Sequence, residues 1–348
     1  MHRRTRRTLI IVAAAVVLLA VAIFLRSKAP PEAARLLPES DGIIYINLKP
    51  FRVLLRHEHA RIEPPKRVSD YQDFVNATGI DWERDLDQAA IALHRMPNPN
   101  GPNGPVAYSM VMVGRITGPR LNNWLSAHAA SREVYAGHTI YNIPSEGRTV
   151  RVSQIGYDVI AISNTPAPEQ IHSIIDRRTT AAWPFAGSTL LRQHFHDVPL
   201  LAFAWGVGQI GLPFSQSGAI SIFGFQFPLQ NNSTIVASIS PTLPLPHALR
   251  MRVEEIAPDE HAAARQSAAL ATLATMARGF TAPLASSAAN NGLRELLSTL
   301  VITQRHDRVL VTATLTPAFL GALSNVNENP AGQPAAAGTE VNEQGARR

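Results

Sequence analysis

The chain has 348 residues, 45% of them apolar, enough to bury a substantial core in one large domain or two, and it is not composed like a disordered protein. Its formal charge of +6 lies wholly in residues 1–28, where Arg3, Arg4, Arg6, Arg7, Arg26 and Lys28 meet no acid, so that 26 basic and 26 acidic residues remain elsewhere. The body is therefore neutral and loses the compositional support for nucleic-acid binding, while the absence of cysteine excludes disulfides, thiolate metal sites, cysteine nucleophiles and a lipid-modified N-terminal cysteine.

Residues 9–25 (LIIVAAAVVLLAVAIFL) form an uncharged apolar run that as a helix spans roughly 25 Å, the short end of a membrane crossing. It exceeds the core of a secretory signal, and Ser27-Lys28-Ala29 before Pro30 and Pro31 makes a poor cleavage site. An uncleaved anchor follows. The arginines of residues 1–8 place the N-terminus in the cytoplasm and the body outside it, in the inner membrane as a single-pass protein. Arg6-Arg7 also matches a twin-arginine export pair, but positive-inside residues explain it with less.

After a linker at 26–34, Asp41 to Leu48 reads as a first buried strand. Helical stretches at 70–77 and 82–86 and strands at 89–94 and 106–115 follow, the strands being separated by a Pro-, Asn- and Gly-rich loop. Between Arg132 and Ser163, turn signals recur about every ten residues, as in an antiparallel meander. Its third segment alternates, with Val150 and Val152 on one face and Thr149, Arg151 and Ser153 on the other. Further strands are expected at 200–207, 234–240 and 249–255. A helix at 258–278 should bury Ala263, Ser267, Leu270, Leu273, Ala274, Ala277 and Phe280, and a second amphipathic helix carries Leu293, Leu296, Leu297 and Leu300. A hairpin turning at His306-Asp307 closes the series, and residues 325–348 read as a disordered tail.

A strand, then Thr and Pro, then an amphipathic helix recurs at Thr117, Thr165 and Thr316, which points to two similar halves at 35–185 and 186–324. Apolar residues in a Gly/Ser-rich frame at 206–228 read as a buried irregular connection, or else a loop that touches a membrane or partner.

Chemistry-bearing residues are few. His57-Glu58-His59 on a helix would point its imidazoles about 200° apart, so a solvated face is the expectation. His194, His196 and Asp197 are the candidate metal ligands, set against a helix end before Pro199 that accounts for the histidines without metal. Asp259-Glu260-His261 and the acids Asp81, Glu83, Asp85 and Asp87 read as helix starts. No Gly-x-Ser-x-Gly elbow or phosphate loop occurs, and no cofactor is expected.

With the opening Leu36-Leu37-Pro38-Glu39-Ser40-Asp41 before its first strand, and a strand-then-helix segment from Asp158 to Asp176, the chain resembles a loose group of uncharacterised bacterial membrane-anchored proteins. The resemblance implies an extracytoplasmic α+β fold and supplies no activity or site residue. The expectation is an α+β protein: an N-terminal transmembrane helix, then an ectodomain of mainly antiparallel sheet with flanking helices. Its function reads as a non-enzymatic envelope binding or scaffold module with a protein, lipid or cell-wall partner. The alternative is a membrane-tethered hydrolase or metal-dependent enzyme.

Overall fold

The computed structural model describes residues 29–50, 52, 69–100, 104–116, 118–145, 147–180, 186–209, 219–222, 225–228, 233–242, 248–281, 288–316 and 319. The expected transmembrane segment at 9–25, His57 to His59 and the tail at 325–348 lie outside them. Among the described residues no helix is long and apolar enough to cross a membrane.

A short helix, α1 (Glu32–Arg35), leads into β1 (Gly42–Asn47). Two helices follow, α2 (Ser69–Thr78) and α3 (Trp82–Asp85), the second capped by the Asp81 carboxylate, which accepts from the Glu83 amide at 3.1 Å. β2 (Leu86–Arg95) and β3 (Val106–Gly114) form a hairpin, after which α4 (Pro119–His128) precedes the meander β4 (Ser131–Tyr135), β5 (His138–Ser145), β6 (Arg148–Gln154) and β7 (Val159–Ser163). Helices α5 (Glu169–Thr180) and α6 (Thr189–His194) then lead through a 3-10 turn, Phe195–Asp197, to β8 (Ala204–Gln209). The remainder is a small hairpin, β9 (Ala219–Ile222) and β10 (Phe225–Pro228), strands β11 (Thr234–Pro241) and β12 (Leu249–Ile256), helices α7 (Glu260–Thr281) and α8 (Ala288–Thr299), and a last hairpin of β13 (Val301–Arg305) and β14 (Arg308–Leu315).

Twelve strands make one antiparallel sheet in the order β13-β14-β12-β11-β8-β1-β2-β3-β7-β6-β5-β4. The first strand of the chain thus lies in its middle, and the order β1-β2-β3-β7-β6 recurs outward on the other side as β8-β11-β12-β14-β13. The two series meet where Ile44 pairs with Gly206. Among the described residues the sheet runs on from one series to the other, and Ile43, Tyr45 and Val111 share one core with Leu191, Val207 and Val236.

Because successive strand residues face opposite ways, the sheet has two covered faces. On the front, Tyr45, Ala90, Val111 and Val159 lie under α1, α5 and α6, through Ala33, Ile171, Ile174, Ile175 and Leu191. On the back, Met112, Tyr141, Val152 and Ile160 lie under Ile80 and, from α4, Leu121 and Leu125, while Val309, Ala313 and Leu315 meet α7 and α8.

Several elements differ in detail from the sequence reading. Residues 200–203 form a turn, and β8 begins only at Ala204. α7 buries Ala263, Leu270, Ala274 and Ala277 but leaves Phe280 70% exposed, because its buried stripe continues through Thr281 instead. Ser153, on the face of β6 opposite Val150 and Val152, is wholly buried, and its hydroxyl donates to the Thr139 carbonyl at 3.0 Å. Within the stretch expected as an irregular connection, residues 219–222 and 225–228 pair as two short antiparallel strands, and residues 210–218 lie outside the described residues. Thr117 lies outside the described residues. Thr165 does not cap α5, since its hydroxyl donates to the Ala167 carbonyl at 2.9 Å and the helix starts at Glu169, whereas Thr316 does accept from the Phe319 amide.

Candidate functional site

The segment from α6 to β8 carries the candidate residues, and its placement follows from its sequence. Ser188 caps α6 by accepting from the Leu191 amide, and the Thr189 amide donates to Glu39 at 2.8 Å. Burial pushes the Glu39 carboxyl up, but the bonds from Thr189 and Arg177 outweigh it and hold the group below its ordinary range. Leu190 and Leu191 sink into the front core. The helix then tightens into the 3-10 turn, with the Val198 amide donating to the Phe195 carbonyl, and Pro199 ends it.

Two features flank this turn. One is a cavity of about 520 Å³ between the turn, the middle strands and the chain's entry at Ala29 to Pro31. Its floor is aromatic: Tyr45 and Trp205, directly paired on β1 and β8, stack with centroids 5.3 Å apart, and Phe195 meets the Trp205 ring edge-on at 5.6 Å. Leu191, Val198 and Ala202 complete the apolar wall, and Asn47, Arg192 and His196 supply the polar contacts. Burial raises the Tyr45 hydroxyl pKa well above the ordinary phenol value, so the ring stays neutral.

The other feature is a charge cluster on the far side of the turn. The Asp197 side chain, only 6% exposed, accepts from Arg308 Nη1 at 2.7 Å, and the same nitrogen donates to Glu254 Oε1 at 2.8 Å. Arg252 Nη2 donates to the second Glu254 oxygen at 2.6 Å. Two acids and two arginines thus balance. The Glu254 hydrogen bond first, and then that to Asp197, push the Arg308 pKa up. His196 Nε2 lies 3.3 Å from Asp197 Oδ1. His194 Nδ1 lies 3.5 Å from Asp197 Oδ2, and both atoms are buried without a hydrogen bond among the described residues.

His194, His196 and Asp197 are therefore brought together, as their spacing allows. Arg308 takes Asp197 Oδ1, and among the described residues no three His, Cys, Asp or Glu side chains converge as a metal site. The geometry is that of an ion-pair cluster.

Arg252, Glu254 and Arg308 escaped the sequence reading. Their peculiarity emerges when the two strand series are laid side by side. Stepping across the front face, the first series runs Tyr45, Ala90, Val111, Ala161, and the second runs Val207, Val236, Glu254, Leu310. Glu254 and Arg308 thus lie on the front-face layer that in the first series holds Val111 and Val159, both wholly buried. Adjacent Glu254 and Glu255 were the available signal: neighbouring strand residues face opposite ways, so a sheet covered on both sides must enclose at least one acid.

Elsewhere the acids act as caps and clamps. Asp259 accepts from the Ala262 amide at 2.7 Å to start α7, Asp85 pairs with Arg84, and Asp87 pairs with Lys49 and Arg52. A buried ladder of His94, Ser109, Ser163 and Thr165 crosses the first half, with His94 Nε2 2.9 Å from the Ser109 oxygen. Ser109 is wholly buried and offers no substrate access.

No family model and no curated protein matches the chain. Among solved structures, TP0453 aligns in crystal form I at 9% identity over 86% of this chain and 99% of that one, with a TM-score of 0.43. Form III gives 11%, 85%, 99% and 0.44, and form IV gives 10%, 84%, 95% and 0.43. TM-scores below 0.5 at such identities carry no inference about function.

Proposed function

We propose that this chain is a non-enzymatic, single-pass envelope protein, anchored through residues 9–25, whose extracytoplasmic domain of two like halves is a binding module. The cavity between Tyr45, Trp205 and the α6 turn is the observation that carries the reading. Its size and aromatic floor are those of a ligand pocket. Most of the described residues that line it are apolar or aromatic, the polar ones being Asn47, Arg192 and His196, a make-up that suits holding an apolar ligand. Its wall includes Ala29 to Pro31, which follow the apolar segment within a few residues of sequence.

Protease treatment of intact spheroplasts, with alkaline extraction of the membranes, tests the placement. The body should be digested from outside, and extraction should release the protein only after residues 9–25 are deleted. A body protected until the membrane is lysed would overturn the reading.

A further inference from the structure

We propose that the cavity takes a single apolar chain carrying one anionic group, the chain lying on the Tyr45 and Trp205 rings and the anion resting at Arg192 and His196. This rests on the binding-module reading and names its ligand class. The walls argue for the apolar part, since Leu191, Phe195, Val198 and Ala202 surround the aromatic floor. The rim argues for the anion. Arg192 is exposed, forms no ion pair among the described residues, and donates only a long 3.4 Å bond to the Thr189 hydroxyl. Arginine without a carboxylate partner at the mouth of an apolar pocket is suited to a carboxylate or phosphate. A cationic ligand would meet like charge there and no acid in the lining.

The mouth also indicates the source. Leu200, which lines the cavity together with Ala29 to Pro31, and its neighbour Leu201 are 64% and 56% exposed, an apolar lip. A lip of this kind next to a membrane anchor favours a ligand exchanged with the bilayer over one from bulk water.

The test uses the full-length protein in lipid nanodiscs with three photoreactive diazirine probes: palmitate, a diacyl phosphatidylglycerol labelled on one acyl chain, and the neutral hexadecanol. Labelled peptides are mapped by mass spectrometry. Palmitate should label the stretch from Leu191 to Ala202 and the strands bearing Tyr45 and Trp205. Ala202→Trp and Val198→Phe, which fill the cavity from different sides, should each abolish that labelling without changing the melting temperature of the variant that is scored. Arg192→Glu should cut palmitate labelling about tenfold, the value of one charge-assisted hydrogen bond, and leave hexadecanol labelling unchanged. Phosphatidylglycerol labelling at the same peptides identifies a membrane lipid as the source, and labelling by palmitate alone identifies a free fatty acid. Labelling confined to residues 9–25, or insensitive to both cavity-filling variants, overturns the proposal while leaving a binding module for another partner. Equal loss of hexadecanol labelling with Arg192→Glu overturns the anionic contact.

Discussion

Replacing Arg308 by Met removes the one nitrogen that both Asp197 and Glu254 share, at 2.7 and 2.8 Å. Glu254 keeps Arg252, but Asp197 is left with the largely exposed His196 at 3.3 Å and the misaligned His194. Stranding a fully buried charge costs about 3–5 kcal/mol, and since the Arg308 side chain is about a third exposed, water can reach part of the gap, which lowers the expectation to about 2–3 kcal/mol. The triple variant Asp197→Asn, Glu254→Val, Arg308→Val removes both acids and the arginine they share, leaving only Arg252, whose side chain is about a third exposed to water, and it should lie within about 1 kcal/mol of the parent or above it. Urea unfolding of the full-length protein, followed by tryptophan fluorescence, measures both. The reasoning fails if Arg308→Met costs less than about 0.5 kcal/mol, or if the triple variant is the less stable of the two.

Gly114→Ala should destabilise by about 3 kcal/mol or prevent folding, because a Cβ there would lie 2.2 Å from the Asp85 carbonyl and 2.9 Å from the Asp87 amide, backbone atoms that cannot yield; thermal unfolding reads it. Asp259→Ala should cost about 1 kcal/mol by freeing the Ala262 amide at the start of α7, with Asp259→Asn largely retaining the cap. Burial holds the His94 pKa below its ordinary 6.5 against the attraction of Asp41, so the native state binds fewer protons than the unfolded chain. That contribution is present above pH 6.5 and lost as the pH falls through the folded value, and His94→Asn should flatten the acid limb of a stability-against-pH curve.

Local rules account for what the sequence revealed of this fold. Alternation in β6, the turn at His306-Asp307, and the caps at Asp81 and Asp259 each depend on a few neighbouring residues, and each appears where its chemistry requires. Pairing between distant strands is different. Nothing near Glu254 announces that Arg308 will stand beside it, because that contact depends on β12 and β14 being neighbours across two intervening helices. Likewise Leu200 and Leu201 resemble the start of β8 in composition, but Pro199 and the Ala202 amide, which donates to the Pro199 carbonyl, turn them outward. His194, His196 and Asp197 were legible as a cluster, while the arginine that defines its character was not.

The position of β1 bears on how the protein is made. Synthesised first, it sits at the centre of the sheet and pairs on one side with β2, which follows soon after, but on the other with β8, which arrives only after the first half is complete. Until then the first half presents an open edge in which Ile43 and Ile44 are flanked by unpaired backbone groups, a template for adhesion to any other extended chain. Such long-range closure slows folding, and a chain still being synthesised would meet it with much of its length to come. The protein therefore calls for a holding factor during biogenesis, or for folding quick enough that β8 closes the edge before another chain finds it.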